Sequence, residues 1–275
     1  MFHHTFGICF YTEKNMKVKR IKGDKMTDFQ KDFLKVFFDS FENEDIKIFA
    51  QNVIAKLPDY WWVENASSSG KYHPSYVMPP TGGGLFIHSS AVFIFLNYAL
   101  GIDMWRNKFT DRERDLLKIA AMVHDGCKHG RETKGHTIHE HPLVVGEYLD
   151  EFKTDNLIPD FEIDYIKEAI SSHMGQWNVD KRKKDAVVLP TPQTLAQELI
   201  HFSDYLASRK DIEVHFDEFK SYEKPTIDTY VFNFGKHNGK SFKTVMEEDP
   251  SYLTYLKSAD YSKEPLRTFL SQIDV

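Results

Sequence analysis

The chain has 275 residues, 41% hydrophobic and 28% charged, with a net charge of −6. That length suits one large domain or a main domain with an appendage. The acidic balance provides no global basic field for nucleic acid or a membrane surface, though a local basic face stays open. Two cysteines, Cys9 and Cys127, argue against a disulfide framework and for a reducing, cytoplasmic setting.

Residues 1–25 end in a basic run, Lys17 to Lys25, and read as a short strand or a poorly ordered arm. The opening Met1-Phe-His-His-Thr-Phe lacks the charged and apolar regions of a signal peptide. From Thr27 the pattern turns helical. Phe29, Phe33, Phe37 and Phe41 fall four apart, with Leu34 and Phe38 beside them, as one apolar stripe. Asp45 to Leu57 predicts a second helix. Pro58 to Gly84 is long and irregular, with Pro79-Pro80 and Gly82-Gly-Gly84, a length that is usually functional or disordered. Leu85 to Gly101 is apolar almost all round, which predicts a central helix, and it carries His88. The longest apolar stretch, Ala91 to Ile102, contains Asn97 and is too short to span a bilayer, so no membrane partner is expected. Thr110-Asp-Arg-Glu113 is a capping box opening a helix that ends at His124-Asp125. Helices are predicted next at about 139–152, 161–174 and 192–209, each with one polar candidate: His141, His173 and Asp204.

Near Thr226 the texture changes. Alternating Tyr230, Phe232 and Phe234 predict a β-hairpin that turns at His237-Asn238-Gly239, since Asn-Gly tolerates positive φ. A short helix with Tyr252, Leu253 and Leu256 follows. The expected fold class is mostly α, divided into an arm (1–25), a helical domain (26–222) and a small β-β-α module (229–275).

Adjacent His124 and Asp125 at a helix end offer an imidazole nitrogen and a carboxylate oxygen to one point in space. That mixed N/O set suits Mn, Fe, Co, Ni, Zn or Mg better than a sulfur-loving site. Each candidate has a plainer reading alone. His88 reads as a hydrogen-bonded core histidine, Asp125 as a cap, and Asp204 as a partner for Arg209 or Lys210. Ionisable groups within apolar helices are costly unless paired or metal-bound. One site that absorbs His88, His124, Asp125, His173 and Asp204 is more economical than five separate explanations.

The ordered set His88, His124-Asp125 and Asp204 resembles the HD-domain metal-dependent phosphohydrolases over about residues 60–215. Lys128 matches the lysine that often follows the pair, although Gly126-Cys127 replaces the usual apolar-Gly pair. His141-Pro142 with Gly146, and Ser172-His173, match the additional histidines of members that hold two metals. His141 is preferred over His136 and His139 because Pro142 and Gly146 follow it. Lys71-Tyr-His-Pro74, Gly83 to His88, Ser172 to Gly175 and Ile200 to Ser208 look like the subgroup containing 3′-to-5′ exoribonucleases. Departures are a second Gly-rich stretch before His88 and a single His173 where a His-His pair is common.

The resemblance implies an HD-domain helical bundle with two divalent ions (Mn, Fe, Co, Ni or Mg) on His88, His124, Asp125, His141, His173 and Asp204. It implies a phosphomonoesterase or phosphodiesterase that cleaves a nucleotide or a nucleic-acid 3′ end with a metal-activated water. Asp125 is shared between the ions, and Lys128 neutralises charge building at phosphorus. Arg131, Arg209 and Lys210 are candidates for other phosphates, and His129 and His201 for the outer shell. Phe234-Gly-Lys-His-Asn-Gly-Lys240 resembles segments found after some exonuclease domains. Lys236, Lys240 and Lys243 beside aromatics there suit a single-stranded backbone, and a docking or covering role suits them equally. Some enzymes of the same fold and ligand set are mixed-valent di-iron oxygenases, and a non-catalytic regulatory protein on the same bundle is the remaining alternative.

Overall fold

A computed structural model describes residues 26–67, 74, 77, 83–132, 136–181, 183–184, 186–212, 214–216, 226–232, 234–259 and 266–273. The basic arm, Lys71-Tyr72-His73 and the boundary residues 222–225 lie outside that set. The chain divides into two compact units, 1–221 and 222–275.

In the first unit, α1 (Asp28–Asp39) opens where the Thr27 side chain accepts from Gln30 N and the Gln30 side chain accepts from Thr27 N. Its Phe stripe buries Phe33, Phe37 and Phe38 with Leu34, and Phe29 packs edge-on to Phe86. Each full burial is worth roughly 1.5–3 kcal/mol. The turn into α2 (Glu44–Ala55) is tied to a distant helix: Asp115 Oδ2 accepts from Glu42 N and Asn43 N at 2.9 and 2.8 Å. Lys118 Nζ, 2.8 Å from the other oxygen, balances this buried acid. The stretch after Pro58 is less irregular than its composition predicts. Asp59–Val63 forms α3, because Trp61 and Tyr60 bury their rings there.

α4 (Gly84–Gly101) is the central helix and packs on α3, α6 and α9. It is longer than the apolar stretch suggests: its 18 residues meet the length and composition needed to cross a membrane. Yet 72% of that window is buried inside the protein, His88, Ser89 and Ser90 included, which is the pattern of a core helix. Its start depends on two glycines. Gly83 has φ +87°, and a Cβ on Gly84 would lie 1.9 Å from Val77 O.

α5 (Asp103–Arg106) is a short turn. α6 (Asp111–Val123) starts at the Thr110–Glu113 capping box. α7 (His141–Asp150) runs into a 3-10 turn at Glu151–Asp155, and α8 (Asp160–Ser171) is followed by another at Gly175–Trp177. α9 (Leu195–Ala207) begins at a Thr194–Gln197 capping box. α8 packs on α6, α7 and α9, and α6 and α9 pack on α4.

The second unit corrects the expected β-β-α order. Among its described residues the hairpin is one antiparallel bridge, Val231 with Ser241, and three helices follow. These are α10 (Phe242–Glu248), α11 (Pro250–Ser258) and α12 (Leu266–Ser271). The second arm cannot lengthen because Ser241 Oγ caps α10, accepting from Thr244 N at 3.0 Å. The turn uses positive φ at Gly235 and Gly239, not at Asn238. Phe232 stacks on Phe242 at 9°, and Val245, Leu253, Leu256, Leu266, Phe269 and Leu270 complete its core.

Candidate metal centre

Four helix ends and one helix interior supply the six side chains. His88 lies in the second turn of α4. His124 caps α6 and Asp125 follows it. His141 opens α7, His173 follows α8, and Asp204 lies in α9. The structure brings all six together.

The helix ends also fix three imidazoles. Nδ1 of His124, His141 and His173 donates to Ala121 O, Ile138 O and Ile170 O, each three residues back, at 2.8, 2.7 and 2.9 Å. A neutral ring that donates through Nδ1 presents a lone pair at Nε2. Those Nε2 atoms point inward. His141 Nε2 stands 3.1 Å from His173 Nε2 and 3.0 Å from Asp125 Oδ1. With the His141 proton on Nδ1, none of these contacts has a hydrogen between its atoms, and Asp125 Oδ1 is buried with no hydrogen-bond partner.

The other carboxylate oxygen faces a second group. Asp125 Oδ2 lies 3.6 Å from both His88 Nε2 and His124 Nε2, which are 3.3 Å apart. Asp204 Oδ1 closes this group, 3.0 Å from His88 Nε2 and 3.7 Å from His124 Nε2. Two ligands about 2.1 Å from one ion and at right angles stand roughly 3.0 Å apart, so both groups have the spacing of a coordination shell. The ligand atoms of His88, His124 and Asp125 lie within 4.8 Å of one another, as do those of His124, His173 and Asp204, and of Asp125, His141 and His173. Buried lone pairs turned toward one another repel unless a cation lies between them, so the residues present fit a divalent metal.

The electrostatics agree. Burial lowers the pKa of His124, and burial with the neighbouring His124 and His141 brings His173 down to about 3, so both rings stay neutral and able to ligate. Burial alone would raise Asp125, but the charge of Lys128 outweighs it and holds the carboxyl well below its ordinary value. Asp204 is likewise lowered against its burial, chiefly by the neighbouring His88 imidazole.

Lys128 Nζ is 2.5 Å from Asp125 Oδ2, so the lysine reaches the rim of the His88 group. Arg131 bonds Glu151 at 2.7 Å and lies over the Tyr148 ring. Arg209 lies over the Tyr205 ring, and Lys210 is exposed. In the second unit Lys236 pairs with Asp249 and Lys240 with Glu248, while Lys243 is 3.9 Å from Asp228. His139 is directed elsewhere, to Asn178 O. Sequence reasoning missed Tyr60 and Glu64. The Tyr60 hydroxyl donates to Gly130 O at 2.7 Å and accepts from His129 N at 3.1 Å, bracing the turn after Asp125. Its ring stacks on His129, whose Nδ1 is 2.7 Å from Glu64 Oε2.

Residues 85–209 match the HD domain family, and residues 232–259 match the exodeoxyribonuclease X-like C-terminal family. No curated protein and no solved structure matches the chain. The HD match spans every member of the His/Asp cluster from His88 to Asp204, and the two together support a metal-dependent hydrolase in general.

Proposed function

We propose that the chain is a metal-dependent phosphohydrolase acting on a phosphoester of a nucleotide or a nucleic-acid 3′ end. The observation that carries this is the gathering of six side chains into two groups that share Asp125, one of its oxygens facing each. Two divalent ions, of Mn, Fe, Co, Ni or Mg, would supply Lewis acidity at a phosphoryl oxygen and an acidified water. The chain's part is to hold neutral imidazoles and two carboxylates in place and to set Lys128 at the rim. The exodeoxyribonuclease X-like match favours a nucleic-acid substrate. Arg209 and Lys210 have no acid partner among the described residues and remain the best anion contacts, whereas Arg131, Lys236 and Lys240 are already paired. Cys127 is a buried thiol pushed up to about 12 by burial, which leaves it a poor nucleophile.

The test is a screen of nucleoside monophosphates, dinucleotides, cyclic nucleotides and single-stranded oligonucleotide ends with Mn, Co, Ni and Mg. Release of inorganic phosphate marks a monoesterase, and release of mononucleotides a diesterase. A metal-loaded protein inert toward every class would sink the reading.

The two-ion arrangement makes a separate prediction. His141→Ala should lose one of two bound ions per chain and slow hydrolysis by at least the about 10–100-fold typical of weakened metal sites. Metal analysis at saturation that gives one ion per wild-type chain, with His141→Ala fully active, overturns it. Lys128→Ala should lower kcat by about 10²–10³ with metal content intact, as loss of one electrostatic stabiliser does. If metal is lost in proportion to activity, Lys128 serves as the counter-ion of Asp125 and not of the substrate.

A further inference from the structure

Access to the centre is uneven. The side chains of His88, His124, Asp125, His141 and His173 are 2% exposed or less, and Asp204 is 19% exposed. The open side is therefore the α9 side. On α9, His201, Asp204 and Tyr205 stand three and four residues apart and share one face. The Tyr205 ring lies nearly parallel to Trp177, at 13° with centroids 6.0 Å apart. Trp177 is 47% exposed and sits four residues after His173. Arg209 places its guanidinium over the same Tyr205 ring, 4.3 Å from the centroid.

An exposed tryptophan is ordinarily a surface accident, and a mobile one. This one is held. His201 Nδ1 donates to His173 O at 2.7 Å, and its ring fills the space beside Gly175, where a Cβ would come within 2.1 Å. The same ring meets Trp177 at 6.4 Å and 60°. The turn carrying Trp177 is thus fastened to α9 by the histidine that also touches the His173 backbone. Arg209 adds a cation whose Nε is buried with no hydrogen-bond partner. Among the described residues, flat π faces and a guanidinium with an unpartnered Nε therefore lie beside Asp204, the most exposed member of the His/Asp centre.

We propose that Trp177, Tyr205 and Arg209 form a nucleobase-stacking platform at the mouth of the metal centre. The inference rests on the phosphoester-cleaving reading and adds to it a site for the base, so that a phosphoester attached to a nucleoside is preferred to a base-free sugar phosphate. Every base has a π face, so stacking on an indole, a phenol and a guanidinium tolerates any sequence and strengthens binding by about tenfold or more per base.

The test is binding, read without turnover. Adenosine 5′-monophosphate and ribose 5-phosphate are titrated calorimetrically into the full chain with Ca²⁺, using wild type, Trp177→Ala, Trp177→Phe and Tyr205→Ala. Wild type should bind the nucleotide at least about tenfold more tightly than the sugar phosphate. Both alanine variants should erase that preference, Trp177→Ala should leave ribose 5-phosphate affinity unchanged, and Trp177→Phe should keep most of the preference. Equal affinities in wild type, no binding of the nucleotide, or equal losses for both ligands in Trp177→Ala would overturn the platform. Hydrolysis assayed in parallel separates the two readings. A base preference without hydrolysis leaves the platform standing and the reaction refuted, and hydrolysis without a base preference does the reverse.

Discussion

Asp125→Asn is expected to abolish hydrolysis and empty both metal positions while the fold survives. Asparagine keeps the shape but removes the charge and replaces one acceptor oxygen with a donor nitrogen. Both oxygens are in use in the arrangement seen: Oδ2 faces His88, His124 and Lys128, and Oδ1 faces His141 and His173. Whichever way the amide turns, one group loses its bridging oxygen and gains N–H bonds aimed at neutral imidazoles. Among the described residues Asp204 is the other carboxylate of the centre, and it is 3.0 Å from His88 on the side away from His141, so it does not replace the bridge. The loss should exceed the about 10³-fold that removal of a single stabilising group costs. The measurements are metal per chain and kcat on the best phosphoester from the screen. An asparagine variant with wild-type metal content and rate would remove Asp125 as the shared ligand.

The convergence of these side chains was legible because the polar residues interrupt otherwise apolar helices at one position each. A buried imidazole on α4 or a carboxylate within α9 has few explanations, and the capping boxes at Thr110 and Thr194 fix where α6 and α9 begin. What could not be read is contact between residues far apart in sequence. Tyr60 and Glu64 lie in a stretch whose composition predicts a loop, and their partner is His129, more than sixty positions on. Trp177 and Tyr205 follow metal candidates in separate segments, and no periodicity links them. In the second unit the alternation of Tyr230, Phe232 and Phe234 predicts a hairpin with exposed aromatics, whereas among the described residues it forms one bridge and the rings pack with the core of the unit. One serine, Ser241, serves as both bridge residue and helix cap, and the helix takes over. The lysines of that unit read as a basic surface from sequence alone, because the acids that pair with Lys236 and Lys240 lie eight to thirteen residues away.

Gly84→Ala should destabilise the protein and slow hydrolysis, although propensity argues the opposite. Alanine is favoured over glycine in a helix by about 1 kcal/mol. At this position, however, a Cβ would meet Val77 O at 1.9 Å, Val77 C at 2.7 Å and Asn65 Oδ1 at 2.9 Å. The nearest obstacle is a backbone carbonyl that itself accepts from Ala66 N, so it cannot swing aside as a side chain would. Forced overpacking costs about 1–3 kcal/mol, enough to cancel the propensity gain and reverse its sign. Relief requires the first turn of α4 to move away from Val77, and His88 lies four residues along that helix. A misplacement of about 1 Å at a catalytic group is worth about 10² in rate, so the activity loss should be larger than the loss of stability suggests. Gly101, at the other end of the same helix, has nothing within 4 Å of its built Cβ. Gly101→Ala should therefore be neutral or slightly stabilising, with activity unchanged. Thermal denaturation and kcat of the two variants side by side separate steric exclusion at the start of α4 from a general intolerance of the helix. A Gly84→Ala protein with wild-type Tm and rate would show that the entry to α4 does not set the position of His88.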